Sequence, residues 1–185
     1  MSRVIYNTAV TLDGFLADPD DSLDWLFAVP GAAEAENEME PFLADVGTIV
    51  MGSTTYEWIW EHELSAAPER WPEFYGDRTV FVFTSRQLPS PPAASNIAFV
   101  QGSVDSLWSR IAAAAGERNV WLVGGGDLVG QFADAGHLDE VRVSIAPVTL
   151  GAGRPLLPRR FASDRLRLEA VRRVGQFAEL TYSFR

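Results

Sequence analysis

The chain alternates short apolar runs with segments of helical spacing, and several of the runs end in glycine or hydroxyl residues. The clearest case is Val120-Trp121-Leu122-Val123, which stops at Gly124-Gly125-Gly126. Such a run reads as a strand buried on both faces, as in parallel sheets. Leu128, Val129 and Phe132 then recur at helical spacing, with Asp127 placed to cap the first turn. Further strands are predicted over residues 3–10, 48–51, 79–84, 97–100 and 140–146. Helices are predicted over residues 34–44, from Gly52 onward with Ser53 or Thr54 as cap, and over 104–115 with Gly116 as the stop. Residues 165–174 and 176–184 form a closing antiparallel pair around Gly175. Strands alternating with helices, followed by a hairpin, imply an α/β sandwich whose sheet is mostly parallel with an antiparallel edge. No repeat or linker interrupts the pattern, so a single domain over residues 1–185 is expected.

Composition narrows the chemistry. With no cysteine, disulfides, thiolate nucleophiles and cysteine metal sites are excluded, and a reducing cytoplasmic setting is compatible. All 15 basic residues are arginine, which excludes lysine Schiff-base chemistry. A net charge of −10 argues against a nucleic-acid partner. His62 and His137 stand in polar segments beside acidic residues and read as surface groups; without HExxH or paired-histidine spacing, no metal is expected. The amino-terminal residues read as a first strand rather than a signal peptide, and every apolar run is strand-sized rather than membrane-spanning.

Three strand ends share one chemistry. Met51 leads into Gly52-Ser53-Thr54-Thr55, Phe83 into Thr84-Ser85-Arg86, and Val123 into Gly124-Gly125-Gly126. Ligands of open α/β sheets bind beyond the carboxyl ends of the strands, and these ends offer hydroxyls, backbone amides and one arginine. That lining suits a phosphorylated nucleotide. Taken singly, the same residues also serve as helix caps, tight turns and surface charge.

The ordered set of motifs resembles the dihydrofolate reductase superfamily, and within it the reductase domain of bacterial riboflavin-biosynthesis deaminase/reductase proteins. The matching segments are Thr11-Leu12-Asp13-Gly14-Phe15-Leu16-Ala17, Met51-Gly52-Ser53-Thr54-Thr55-Tyr56-Glu57, Val82-Phe83-Thr84-Ser85-Arg86 and Val123-Gly124-Gly125-Gly126-Asp127, followed by residues 139–148 and Leu150-Gly151-Ala152-Gly153. The resemblance implies a three-layer α/β sandwich with NADPH as cofactor. It places Gly52, Ser53, Thr54 and Thr55 against the phosphates, and Thr84, Ser85 and Arg86 on the 2′-phosphate. Gly124 and Gly125 would be a cis pair, flanked by Val123, Gly126, Asp127 and Leu128. Ala9, Leu16 and Ala17 would surround the nicotinamide. Glu36, on the first helix, matches the acid that assists protonation, or belongs to a solvated helix face; Ser144 matches its hydroxyl partner. Asp13 would face the polar tail of the substrate.

Tyr6, Phe15 and Trp25 could wall the substrate pocket or simply pack the core, and residues 16–26 could form a lid. The expected activity is hydride transfer to a small heterocyclic or other C=N or C=O substrate, akin to reduction of 5-amino-6-(5-phosphoribosylamino)uracil or dihydrofolate. A non-catalytic dinucleotide-binding module on the same fold is the alternative. The same branch commonly forms homodimers, which is the expectation here.

Overall fold

The computed structural model describes residues 2–32, 39–91 and 96–185. Its framework is an eight-stranded sheet in the order β5-β4-β3-β6-β1-β7-β10-β9. The strands are β1 (Val4–Thr11), β3 (Val46–Gly52), β4 (Thr79–Phe83), β5 (Ile97–Val100), β6 (Asn119–Gly124), β7 (Glu140–Ala146), β9 (Leu166–Val174) and β10 (Phe177–Phe184). Strands β5 to β7 in that order run parallel, while β10 and β9 close the sheet antiparallel. Two short strands, β2 (Phe15–Ala17) and β8 (Arg154–Pro155), pair separately as an antiparallel ribbon.

Period-two alternation along the strands divides the core into two layers. On one face Tyr6, Val50, Phe81 and Leu122 pack against α5 (Val104–Ala115) and α6 (Gly126–Asp134). On the other Ile5, Ile49, Met51, Val80 and Val82 meet α2 (Met39–Ala44), α3 (Ser53–Ile59) and α4 (Trp71–Tyr75). A one-turn helix, α1 (Asp24–Phe27), lies in the segment after β2, and a π-helical segment, Trp60–Leu64, extends α3. The result is the expected three-layer α/β sandwich.

Several local expectations change. Neither Ser53 nor Thr54 caps α3: Gly52 occupies the cap position in extended backbone, and no side chain bonds to the first-turn amides. Likewise Asp127 lies inside the first turn of α6, with Gly125 as its uncapped N-cap. Strand β6 is buried only at alternate residues, because Trp121 and Val123 stay half-exposed toward the α2 side. His62 is exposed as expected. His137 is only partly exposed, stacked on Trp108 at 4.1 Å and paired with Asp105 at 3.5 Å. Both α4 and the β2–β8 ribbon lie where the sequence shows only polar connection or loop.

Candidate functional site

A cleft of about 820 Å³ crosses the carboxyl ends of β5, β4, β3, β6 and β1. Four inter-strand gaps of ~4.8 Å give it a run of ~19 Å along the sheet. At one end lie Thr84, Ser85, Val100, Gln101 and Gly102. The middle is built by Gly52, Ser53, Thr54 and Thr55 from α3 and by Val123, Gly124, Gly125, Gly126, Asp127 and Leu128 around the start of α6. The far end carries Thr8, Ala9, Leu16 and Ala17, with Leu23, Trp25, Leu26 and Trp58 as apolar walls.

The middle is shaped by glycine. Gly124 has φ +145°, in the range that favours glycine, and the bond between Gly124 and Gly125 is cis. A Cβ on Gly124 would lie 3.6 Å from the Thr55 hydroxyl, whereas one on Gly125 would meet nothing within 4 Å. Gly125 itself has ordinary extended backbone, φ −74° and ψ 176°, so within the pair it is Gly124 whose φ requires glycine. At Gly126 close approach decides the residue: a Cβ would collide with the Leu156 carbonyl oxygen and stand 2.5 Å from that of Pro155. Two helices therefore begin at the cleft without side-chain caps, leaving first-turn amides and positive helix ends for an anion.

Charged groups beside the cleft are already paired. Asp127 accepts from Gln131 and Arg159, each at 2.9 Å. Those bonds, that from Gln131 foremost, hold its carboxyl below the usual range. Arg154 grips Asp21 through two bonds of 2.5 and 2.7 Å. Arg86 projects beside the cleft rather than lining it, donating through Nη2 to Ser53 Oγ at 2.8 Å and to Glu57 Oε2 at 2.7 Å.

Four expected site residues stand elsewhere. Asp13 does not line the cleft; its carboxylate accepts from the Thr11 hydroxyl at 2.6 Å and from the amides of Leu150 and Gly151 at 3.1 and 2.7 Å. These bonds, the Thr11 hydroxyl first, lower its pKa and tie the turn after β1 to the loop after β7. Tyr6 is fully buried and donates to the Leu156 carbonyl at 3.2 Å; burial raises its phenol far above the usual range. It packs the core rather than the cleft wall. Phe15 sits in the ribbon opposite Pro155, outside the cleft lining.

Ser144 faces a second, polar cavity of about 380 Å³ on the α2 side of the sheet, shared with Asn7, Phe42, Arg142, Arg172 and Glu179. It is the register partner of Ala9, so this cavity adjoins the nicotinamide end expected for the cleft. Glu36 lies outside the described residues. Leu23 and Leu26 fall within the segment expected as a lid, residues 16–26, whereas Trp58 and Arg154 were missed by sequence reasoning. Trp58 alone had a signal, lying one helical turn beyond Thr54.

The parallel sheet with its carboxyl-end cleft and antiparallel closure defines a dihydrofolate reductase-like fold. The model of the RibD C-terminal domain matches residues 2–178, and the chain belongs to that family. The uncharacterized protein YwjB of Bacillus subtilis (strain 168) is 32% identical over 180 residues, covering 97% of each chain. A diaminohydroxyphosphoribosylaminopyrimidine deaminase/5-amino-6-(5-phosphoribosylamino)uracil reductase from Thermotoga maritima superposes with a TM-score of 0.71 at 15% identity, covering all of this chain and 57% of that one. Dihydrofolate reductase from Enterococcus faecalis, complexed with NADP(H) and RAB-propyl, gives a TM-score of 0.62 at 14% identity, covering 98% and 96%. At such identities these two structures establish the fold alone.

Proposed function

We propose that this protein is an NADPH-dependent oxidoreductase that transfers hydride to a small heterocyclic or other C=N or C=O substrate. One observation carries the reading: a cleft of about 820 Å³ spans five adjacent carboxyl strand ends, and two uncapped helix starts open into its middle. The donor set fits a dinucleotide. First-turn amides of α3 and α6 suit a pyrophosphate, the open space over Gly125 admits one close to the backbone, and Thr84, Ser85 and Arg86 stand where a ribose phosphate would end. Bound there, NADPH supplies the hydride. Ala9, Leu16 and Ala17 flank the nicotinamide, while Trp25, Leu26 and Trp58 keep water from the transfer. Among the described cleft residues, the carboxylates of Asp21 and Asp127 are both held by arginines, so water at the mouth provides the accompanying proton.

The chain has six tryptophans, and two of them line the cleft. Titrating NADPH should quench tryptophan emission saturably; no quenching overturns the reading. With pterins, aminouracil phosphates and quinonoid compounds as acceptors, loss of the reduced-nicotinamide absorbance reports turnover. Binding without turnover across all three classes would favour a non-catalytic dinucleotide-binding module.

A further inference from the structure

Among the described residues Arg154 is the arginine that lines the cleft, and the backbone around it fixes its place. Strand β8 sets it opposite Ala17 in the ribbon with β2. The two chains approach closely because residue 153 is glycine: its φ is +157°, and a Cβ would collide with the Ala17 carbonyl oxygen. The next residue, Pro155, abuts the start of α6, its carbonyl oxygen 2.5 Å from the position of a Cβ on Gly126. Arg154 thus pairs with the end expected to hold the nicotinamide and stands one residue from the uncapped first turn of α6.

The guanidinium is occupied along one edge. Nε and Nη2 donate to the Asp21 carboxylate at 2.5 and 2.7 Å, and Nη2 also reaches the Pro19 carbonyl at 3.3 Å. Nη1 has no partner among the described residues. Asp21 belongs to a strap between β2 and α1, folded by the Asp18 carboxylate, which accepts from the Asp20 and Ser22 amides at 2.9 and 2.8 Å. The strap runs on into Leu23, Trp25 and Leu26, the apolar walls of the far end. A guanidinium already oriented by a bidentate carboxylate loses little freedom when it takes a second anion.

We infer that Arg154 takes, through Nη1, the cofactor phosphate nearer the nicotinamide, and that its pair with Asp21 fastens the strap over the bound dinucleotide. This rests on the reductase reading. Two arginines then serve the cofactor in different ways: Arg86 stands at the 2′-phosphate of NADPH, and Arg154 at a phosphate that NADPH and NADH share. Asp18 and Asp20 act on Arg154 together with Asp21, so its contact is weaker than that of an arginine facing a phosphate alone.

Calorimetry on Arg154→Gln with NADP⁺, NAD⁺ and adenosine 2′,5′-bisphosphate tests the contact. The bisphosphate carries the adenosine phosphates and lacks the one on the nicotinamide side. The Arg154 side chain is 55% exposed, so the fold tolerates glutamine there, and thermal melts verify it. NADP⁺ and NAD⁺ should weaken by one common factor of about threefold to tenfold, with the bisphosphate within about twofold of the parent. Hydrogen exchange of the strap amides, residues 20–26, should slow when NADP⁺ saturates the parent, but not when it saturates Arg154→Gln. A guanidinium that only braced the strap would leave all three affinities unchanged. That result, an equal loss of the bisphosphate, or slowing that persists in Arg154→Gln overturns the inference while the parent still binds NADP⁺. Failure of the parent to bind NADP⁺ overturns the reductase reading instead.

Discussion

Replacing Glu57 tests how the cleft reads the cofactor. From sequence alone, Arg86→Ala should cost NADPH about 1.5–3 kcal/mol, the range for hydrogen bonds to charged groups. The structure lowers that figure. Arg86 Nη2 is already shared between Glu57 Oε2 at 2.7 Å and Ser53 Oγ at 2.8 Å, with the two charged side chains 53% and 32% exposed. A 2′-phosphate must therefore share the guanidinium with the Glu57 carboxylate and lie beside it. Exposed pairs of this kind are worth about 0.2–1 kcal/mol, so much of the expected gain cancels. Arg86→Ala should weaken NADPH by only about twofold to fivefold and leave NADH unchanged. Glu57→Gln removes the competitor and the like charge while keeping an acceptor for Arg86. It should strengthen NADPH by about threefold to tenfold, with NADH within about twofold. Fluorescence titrations at about 50 mM and about 300 mM salt measure both, and the gain should shrink at the higher salt. An unchanged NADPH-to-NADH ratio in Glu57→Gln, or equal losses of both cofactors in Arg86→Ala, would refute the reasoning.

Gly125→Ala should fold with a stability change under about 1 kcal/mol, since its φ is −74° and its Cβ meets nothing within 4 Å, yet bind NADPH more weakly than Gly116→Ala. Gly116 has φ +61° and ends α5 far from the cleft, so its alanine variant should lose about 1 kcal/mol of stability with cofactor affinity intact; thermal melts and titrations on folded protein separate the two. Asp13, with its pKa lowered chiefly by the Thr11 hydroxyl, favours the native state above the unfolded value of about 4 and loses that contribution as pH falls through the lower native value. Urea midpoints should therefore fall more steeply below about pH 4 in the parent than in Asp13→Asn, and parallel profiles would remove Asp13 from that role. Light scattering should report a homodimer, joined through the exposed edge strand β9 with Leu168 and Val171 at 48% and 63% exposure; a mass near 20.3 kDa at all concentrations would exclude it.

Local patterns decided which segments become strands and where they stop. Strand β7 and helix α5 have the bounds their apolar spacing predicts, because alternation and a stop at Gly116 are signals carried within a few residues. The hydroxyl and glycine strand ends also announced their common location, since parallel strands place their carboxyl ends on one edge of the sheet. What each polar side chain does there was decided by partners distant in sequence. Asp13 reads as a substrate-facing acid until the Leu150 and Gly151 amides, more than a hundred residues away, donate to its carboxylate and make it a loop clamp. Arg86 reads as an unshared phosphate ligand until α3 brings Glu57 against it. Tyr6 alternates onto the α5 and α6 face and is buried, so its ring packs the core instead of the cleft. The ribbon of β2 and β8 and the Asp21–Arg154 pair have no local signature, because their halves lie at opposite ends of the chain. Hydrophobic periodicity is a property of neighbours along the chain, whereas the charge and donor balance of a cleft depends on which remote residues the sheet brings within hydrogen-bond reach.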